Sequence, residues 1–259
     1  MSVTWPLAVA VGFVSGTLSG MFGIGGALIT TPAIRLLLGQ PELIAVGTPL
    51  PVIVPSAIAG ALTYARKGLV DLRTGVIAGI VGGVFAVIGA RATTLVGGSV
   101  VLIVTAAIIC WTAADTLHLA FRARRPEHER IAHAGRTRSW LWLAGLGAAA
   151  GIYSGFLGMG GGFIVVPALV RYFAFPPKRA VATSLVVVSL LAIPGTVTHY
   201  LLGNIDVGLA LQLAIGVVPG ALLGARITTV SADRWVQVGF AAMLLVLGLT
   251  LGAVELGLL

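Results

Sequence analysis

The chain has 259 residues, 58% of them hydrophobic and 9% charged, with a mean hydropathy of +1.07. A water-soluble domain keeps about a quarter of its residues charged, so this composition excludes one and requires most side chains to face lipid or other apolar helices. The net charge of +8 would point a soluble protein towards nucleic acid. Here the basic residues sit between apolar segments, where Lys and Arg fix orientation across a bilayer, and no nucleic-acid partner is expected.

In chain order, the start from Met1 to Phe22 lacks a basic leader and runs straight into motif residues, which predicts that it is not a cleaved signal peptide. It belongs to an apolar stretch of unusual length, Val3 to Leu38, broken by the Gly-rich run Gly20 to Gly26. Apolar segments follow at Pro49 to Ala65, Thr74 to Ala90 and Val96 to Phe121. Each is close to the ~20 residues that cross a hydrocarbon core as a helix, and strand-like alternation is absent. A second long stretch, Trp140 to Phe175, is broken at Gly155 to Gly162, and further spans run over Ala180 to Leu202, Val207 to Ala225 and Trp235 to Leu258. Helices satisfy their own backbone in lipid; a barrel is excluded. The single cysteine, Cys110, lies within a span and has no partner for a disulfide.

The order of elements repeats. A shift of 135 residues lays Ser19, Gly20, Gly23, Gly25, Gly26, Ile29, Pro32 and Ala33 on Ser154, Gly155, Gly158, Gly160, Gly161, Ile164, Pro167 and Ala168. The same shift carries Thr48 to Thr183, Asp71 to Asp206, and Gly89, Ala90 and Arg91 to Gly224, Ala225 and Arg226. Low complexity aligns Gly and Ala by chance, but not Pro, Asp, Arg and Thr at one constant offset. The organisation read from this is repeat one over 1–121, a basic cytoplasmic linker over 122–138, and repeat two over 139–259. The linker carries six Arg against Glu127 and Glu129. If each broken stretch enters the membrane and returns, fourteen basic residues fall on the linker's side and only Arg35 and Arg91 on the other. Each repeat then crosses an odd number of times. The expected fold is all-α integral membrane, with two inverted repeats, each a Gly-broken helical hairpin followed by three transmembrane helices.

The paired runs SGMFGIGGALITTPAI (19–34) and SGFLGMGGGFIVVPAL (154–169), followed by AVGT and AVATS, resemble the sulfite exporter TauE/SafE family, also called the toluene-sulfonate uptake permeases. The resemblance covers both halves. It implies a secondary transporter, working by alternating access, that moves small sulfur-containing anions such as sulfite, sulfoacetate or other organosulfonates across the bacterial cytoplasmic membrane. It fixes neither the anion nor the direction. An anion channel, or a membrane subunit of a sulfur-metabolism or sensory complex, is the alternative. An intramembrane enzyme is disfavoured, since the chain has no HExxH, no Gly-x-Ser-x-Gly and no close carboxylate pair in a span. No cofactor and no metal site are expected. A proton or Na+ is the candidate coupling ion, the bilayer a necessary partner, and a homodimer compatible with the sequence.

The candidate substrate-binding residues follow from the breaks. A Gly-rich interruption frees backbone N–H groups at the start of the next half-helix, an end that attracts anions; this selects Gly25, Gly26, Gly160 and Gly161, although small residues also serve close helix packing. Ser19, Ser154, Thr48, Thr183 and Ser184 offer hydroxyl donors nearby, with local backbone bonding as their plain alternative. Thr48 and Thr183, being equivalent, are expected to line one shared anion site. Arg91 and Arg226 are gating or anion-contact candidates because Arg binds oxyanions with a fork of donors, against simple snorkelling at a membrane boundary. His199, which replaces Tyr64 of the first repeat, is a third such candidate and a possible carrier of a proton. Asp71 and Asp206 read as helix N-caps. Asp115 and His118, three residues apart on one helix, form a candidate pair.

Overall fold

The computed structural model describes residues 4–93, 98–122 and 140–255; the basic linker lies outside them apart from Arg122. The regular elements are α1 (Thr4–Phe22), α2 (Ala27–Leu36), α3 (Glu42–Gly47), α4 (Pro49–Ala65), α5 (Leu72–Thr93) and α6 (Gly98–Arg122), then α7 (Trp140–Leu157), α8 (Gly162–Tyr172), α9 (Pro177–Leu201), α10 (Val207–Val230) and α11 (Asp233–Glu255). No strand occurs among the described residues. Among the described residues, seven stretches, Trp5–Phe22, Glu42–Ala65, Leu72–Ala92, Trp140–Leu157, Pro177–Leu201, Val207–Val230 and Asp233–Thr250, are long and apolar enough to cross a bilayer. The chain is a multi-pass helical membrane protein.

The 135-residue shift sets the first residues of α2, α5 and α6 on those of α8, α10 and α11, and Glu42 of α3 on Pro177 of α9. The boundaries have local causes. Pro177 and Pro49 stand in first turns, where a missing N–H costs nothing. Asp71 and Asp206 cap as the sequence predicts: their carboxylates accept from the amides of Thr74 at 3.0 Å and Leu209 at 2.9 Å. The spans after the breaks begin earlier than the apolar count suggests, at Glu42 and Pro177. Thr183 therefore lies about two turns inside α9, whereas Thr48 stands at the junction of α3 and α4, directly before the first residue of α4.

Packing interlaces the repeats. α1 runs parallel to α10, the two backbones meeting at glycines: a methyl group on Gly12, Gly16 or Gly20 would stand 2.2 Å from the carbonyl oxygen of Leu213, Val217 or Ala221. The equivalent seam joins α7 to α5, where methyl groups on Gly147, Gly151 and Gly155 would meet the carbonyl oxygens of Ala78, Gly82 and Ala86 at 2.3, 2.0 and 2.0 Å. Contact this close lets backbones pack without side chains between them, the device that holds helices together where lipid removes the hydrophobic driving force. α4 and α9 occupy the middle. The start of α4 lies beside the end of α9, since Gly47 packs on Asn204, and the start of α9 lies beside the loop after α4, where Asp71 meets Thr183 and Arg179. The two ends of the bundle are called here the Asp206 face and the Asp71 face.

Candidate functional site

Each long N-terminal stretch goes in and comes back. α1 has 19 residues, about 28 Å at 1.5 Å per residue. The chain then turns at Gly23, Gly25 and Gly26, all with positive φ (74°, 79° and 84°), where a side chain would be strained. Gly26 comes to rest against Ser15 and Ser19, so that α2 heads back along α1. Gly158, Gly160 and Gly161 take the same conformation, with φ of 66°, 73° and 64°. Gly26 and Gly161 are the N-caps of α2 and α8, and neither helix has a side-chain cap. The first residues of both helices, Ala27 and Leu28 of α2 and Gly162 and Phe163 of α8, are buried, and their amides have no intrahelical acceptor, as at any helix start.

The two breaks meet. A methyl group on Gly25 would stand 2.6 Å from Val188 Cγ1 and 2.9 Å from Ile53 Cγ2; one on Gly160 would meet Ile53 Cδ1 at 3.0 Å and Val188 Cγ1 at 3.2 Å. Ile53 and Val188 are equivalent under the shift, so both breaks close on one point near the middle of the span Glu42–Ala65 and of α9. Directly beside it, a methyl group on Gly162 would lie 2.3 Å from the Gly23 carbonyl oxygen.

The hydroxyl candidates divide. Ser19 is buried and accepts a hydrogen bond from Ser56 Oγ at 3.0 Å. Ser154, its equivalent, is buried without a partner among the described residues, because Leu191 stands where Ser56 would. Ser184 donates across the repeats towards the Gly23 carbonyl, 2.8 Å away, and also lies 2.8 Å from the Val181 carbonyl. These groups surround the breaks. Thr48 and Thr183 are not brought to one another. Thr48 Oγ1 accepts from the amide of Asp206 at 3.0 Å, and Thr183 Oγ1 from the amide of Asp71 at 3.1 Å. Each lies five residues before Ile53 or Val188 in helices of opposite direction, which separates them by roughly 15 Å along the axes.

Arg91 and Arg226 are exposed at opposite ends of the bundle. Each follows the alanine, Ala90 or Ala225, whose amide backs onto Gly155 or Gly20. His199 is fully buried, bonded to the Gly155 carbonyl and facing Asn204. Asp115 pairs with Arg171 of α8, while His118 is exposed; a salt bridge to a neighbouring helix takes the carboxylate that the spacing assigned to His118. Ser56, Tyr64, Ile53 and Val188 were not singled out from the sequence. The shift pairs Tyr64 with His199 and Ile53 with Val188, so both pairs carried a signal; Ser56 carried none, since its equivalent is Leu191.

A bundle of this kind, with half-helices meeting at mid-depth and close glycine seams between its halves, is a membrane transporter. The sulfite exporter TauE/SafE family matches residues 8–251, and the chain belongs to that family. It is 29% identical over 264 residues to the probable membrane transporter protein YunE of Bacillus subtilis, covering 95% of this chain and 96% of the relative. It is 28% identical over 225 residues to a probable membrane transporter protein of Xylella fastidiosa, covering 86% and 84% of the two chains. The probable membrane transporter protein MJ0441 of Methanocaldococcus jannaschii is 27% identical over 264 residues, covering 94% of each chain. No solved structure gives a significant match. The protein is a multi-pass transporter of the cytoplasmic membrane, not an enzyme.

Proposed function

We propose that the chain is a secondary transporter for small sulfur-containing anions, with sulfite, sulfoacetate and related organosulfonates as the substrate class, and that it works by alternating access between two inverted repeats. The observation that carries this reading is the convergence of the two glycine breaks on Ile53 and Val188. Two half-helix N-termini aimed at one buried point form an anion-attracting centre without a buried lysine or arginine. Gly25, Gly26, Gly160 and Gly161 supply amides; Ser19, Ser154 and Ser184 supply hydroxyls. Ile53 and Val188 fill the centre in this conformation and separate to admit the anion.

Thr48 and Thr183 serve the two half-pathways in turn. In the closed arrangement each holds the amide of an opposite-repeat Asp; when that end opens, the hydroxyl is released to the passing anion. Arg91 and Arg226 attract the anion at the two mouths. The Asp71 face, which holds Arg66, Lys67, Arg73, Lys178 and Arg179, is the cytoplasmic one by the distribution of basic residues, and both termini are periplasmic. The inversion is supported by the parallel α1–α10 and α7–α5 seams, and by the opposite directions of α4 and α9.

Uptake of radiolabelled sulfite, sulfoacetate and taurine into proteoliposomes tests the reading. We expect uptake of at least one anion and its loss in Gly25→Leu and Gly160→Leu, with gel filtration of both variants separating loss of transport from loss of fold at these strained, closely packed positions. Normal transport by both variants would reduce the breaks to packing devices.

A further inference from the structure

Tyr64 and His199 are one position under the 135-residue shift, and both are fully buried. They occupy equivalent places. Tyr64 donates its hydroxyl to the Gly20 carbonyl at 2.7 Å, and Nε2 of His199 stands 2.9 Å from the carbonyl of the equivalent Gly155. A carbonyl oxygen only accepts, so Nε2 carries the hydrogen. Nδ1 lies 3.4 Å from the carboxamide nitrogen of Asn204 and accepts from it; the imidazole is neutral in this arrangement. The two positions share geometry and differ in chemistry. A phenol keeps its proton through the physiological range, whereas imidazole is the side chain whose charge changes there.

We propose that His199 is the proton-binding residue of this transporter and that it takes up one proton together with the anion, with Tyr64 as its non-titrating counterpart. The proposal rests on the anion-transport reading above. Nδ1 gains a proton from water, the ring becomes an imidazolium, and the bond from Nε2–H to the Gly155 carbonyl is kept. A charge in the membrane interior is costly unless paired. The partner is the anion in the half-pathway at the Asp206 face, since Asn204, which faces Nδ1, packs on Gly47 next to Thr48. The proton therefore binds when the anion does.

Protonation also has a mechanical consequence. The Asn204 carboxamide, which donates to Nδ1, must rotate to present its oxygen. Asn204 is buried; its amide bonds the His199 carbonyl at 2.9 Å, and a methyl group on Gly47 would lie 2.1 Å from its own carbonyl oxygen. Two residues further on, the Asp206 amide is held by Thr48. Rotation of Asn204 is thereby linked to the contact that closes the Asp206 face. The first repeat has Leu69 in place of Asn204 and lacks this linkage. The other ionisable groups on the surrounding elements are Tyr153 of α7, Tyr200 beside His199, Arg91 of α5, Glu42 of α3, which pairs with Arg35 at 2.9 Å, and Asp206, whose carboxylate caps α10.

Calorimetric titration of the purified protein with sulfoacetate, in two buffers of different ionisation heat, counts the protons taken up per anion bound. Sulfoacetate is fully ionised near neutrality, so those protons belong to the protein. We expect up to one proton per anion in the unaltered protein. His199→Gln keeps a donor for Gly155 and His199→Tyr reproduces the first repeat; in both, proton uptake should vanish and affinity should fall about tenfold, because the bound anion loses the charge that the proton supplied. Proton uptake that persists in these variants, or is absent from the unaltered protein, overturns the proposal with the anion site left standing. Failure of sulfoacetate, sulfite and thiosulfate to bind the unaltered protein overturns the transport reading itself, and this one with it.

Discussion

The two glycine-broken hairpins, with the segments that follow them, share their backbone and differ in their polar chemistry. Gly23, Gly25 and Gly26 have the same left-handed φ as Gly158, Gly160 and Gly161, and the seams α1–α10 and α5–α7 bring backbones equally close. Yet Ser19 is bonded to Ser56 while Ser154 has no partner among the described residues. Ser184 of the second repeat faces Pro49 of the first in the alignment, and His199 faces Tyr64. Steric requirements of a backbone turn or seam are absolute, so they stay duplicated. A hydrogen-bond partner can be exchanged at a cost of about 1–3 kcal/mol, so the halves are free to specialise.

The largest effect should come where the halves are alike. Replacing Gly16 or its equivalent Gly151 by Leu places side-chain atoms where a methyl group already lies 2.2 Å from the Val217 carbonyl oxygen or 2.0 Å from that of Gly82. Backbone cannot give way as a side chain does, so we expect the yield of monodisperse protein in gel filtration to collapse for both. Gly145→Ala, whose methyl group would have no neighbour within 4 Å, should instead gain up to about 1 kcal/mol of helix propensity. A collapse in only one seam would break the equivalence.

A smaller and opposite pair of effects should come from the serines. Ser19→Ala leaves the buried Ser56 hydroxyl without its acceptor and should cost about 1–3 kcal/mol in thermal unfolding. Ser154→Ala removes a hydroxyl that has no partner and should leave stability unchanged or slightly raised. If Ser154 serves the anion, the same variant should weaken sulfoacetate binding about tenfold, as expected for one hydrogen bond to a charged group. Intact affinity in Ser154→Ala would remove it from the site.

The smallest effect concerns a loop. Ala174 has a φ of 54°, and its equivalent is Gly39 with a φ of 62°. A left-handed conformation costs a non-glycine residue about 1–2 kcal/mol, partly offset by the greater entropy glycine loses on folding. Ala174→Gly should therefore raise the unfolding midpoint modestly, and Gly39→Ala should lower it.

The sequence alone determined the membrane class, the duplication, the place of each break and the two Asp caps. These depend on apolar length, on glycine and proline as local punctuation, and on a side chain reaching an amide three residues away, all of which act within one stretch of chain. The tertiary structure decided the partners. α1 pairs with α10 of the other repeat, Thr48 and Thr183 bind separate Asp amides at opposite ends of the bundle, and Asp115 meets Arg171 in place of His118. The same glycine and threonine pattern would serve a repeat folded on itself or one laced through its counterpart. Only the close approach of backbones in three dimensions selects between them, because that contact joins residues about 200 positions apart in one seam, α1 with α10, and about 70 apart in the other, α5 with α7.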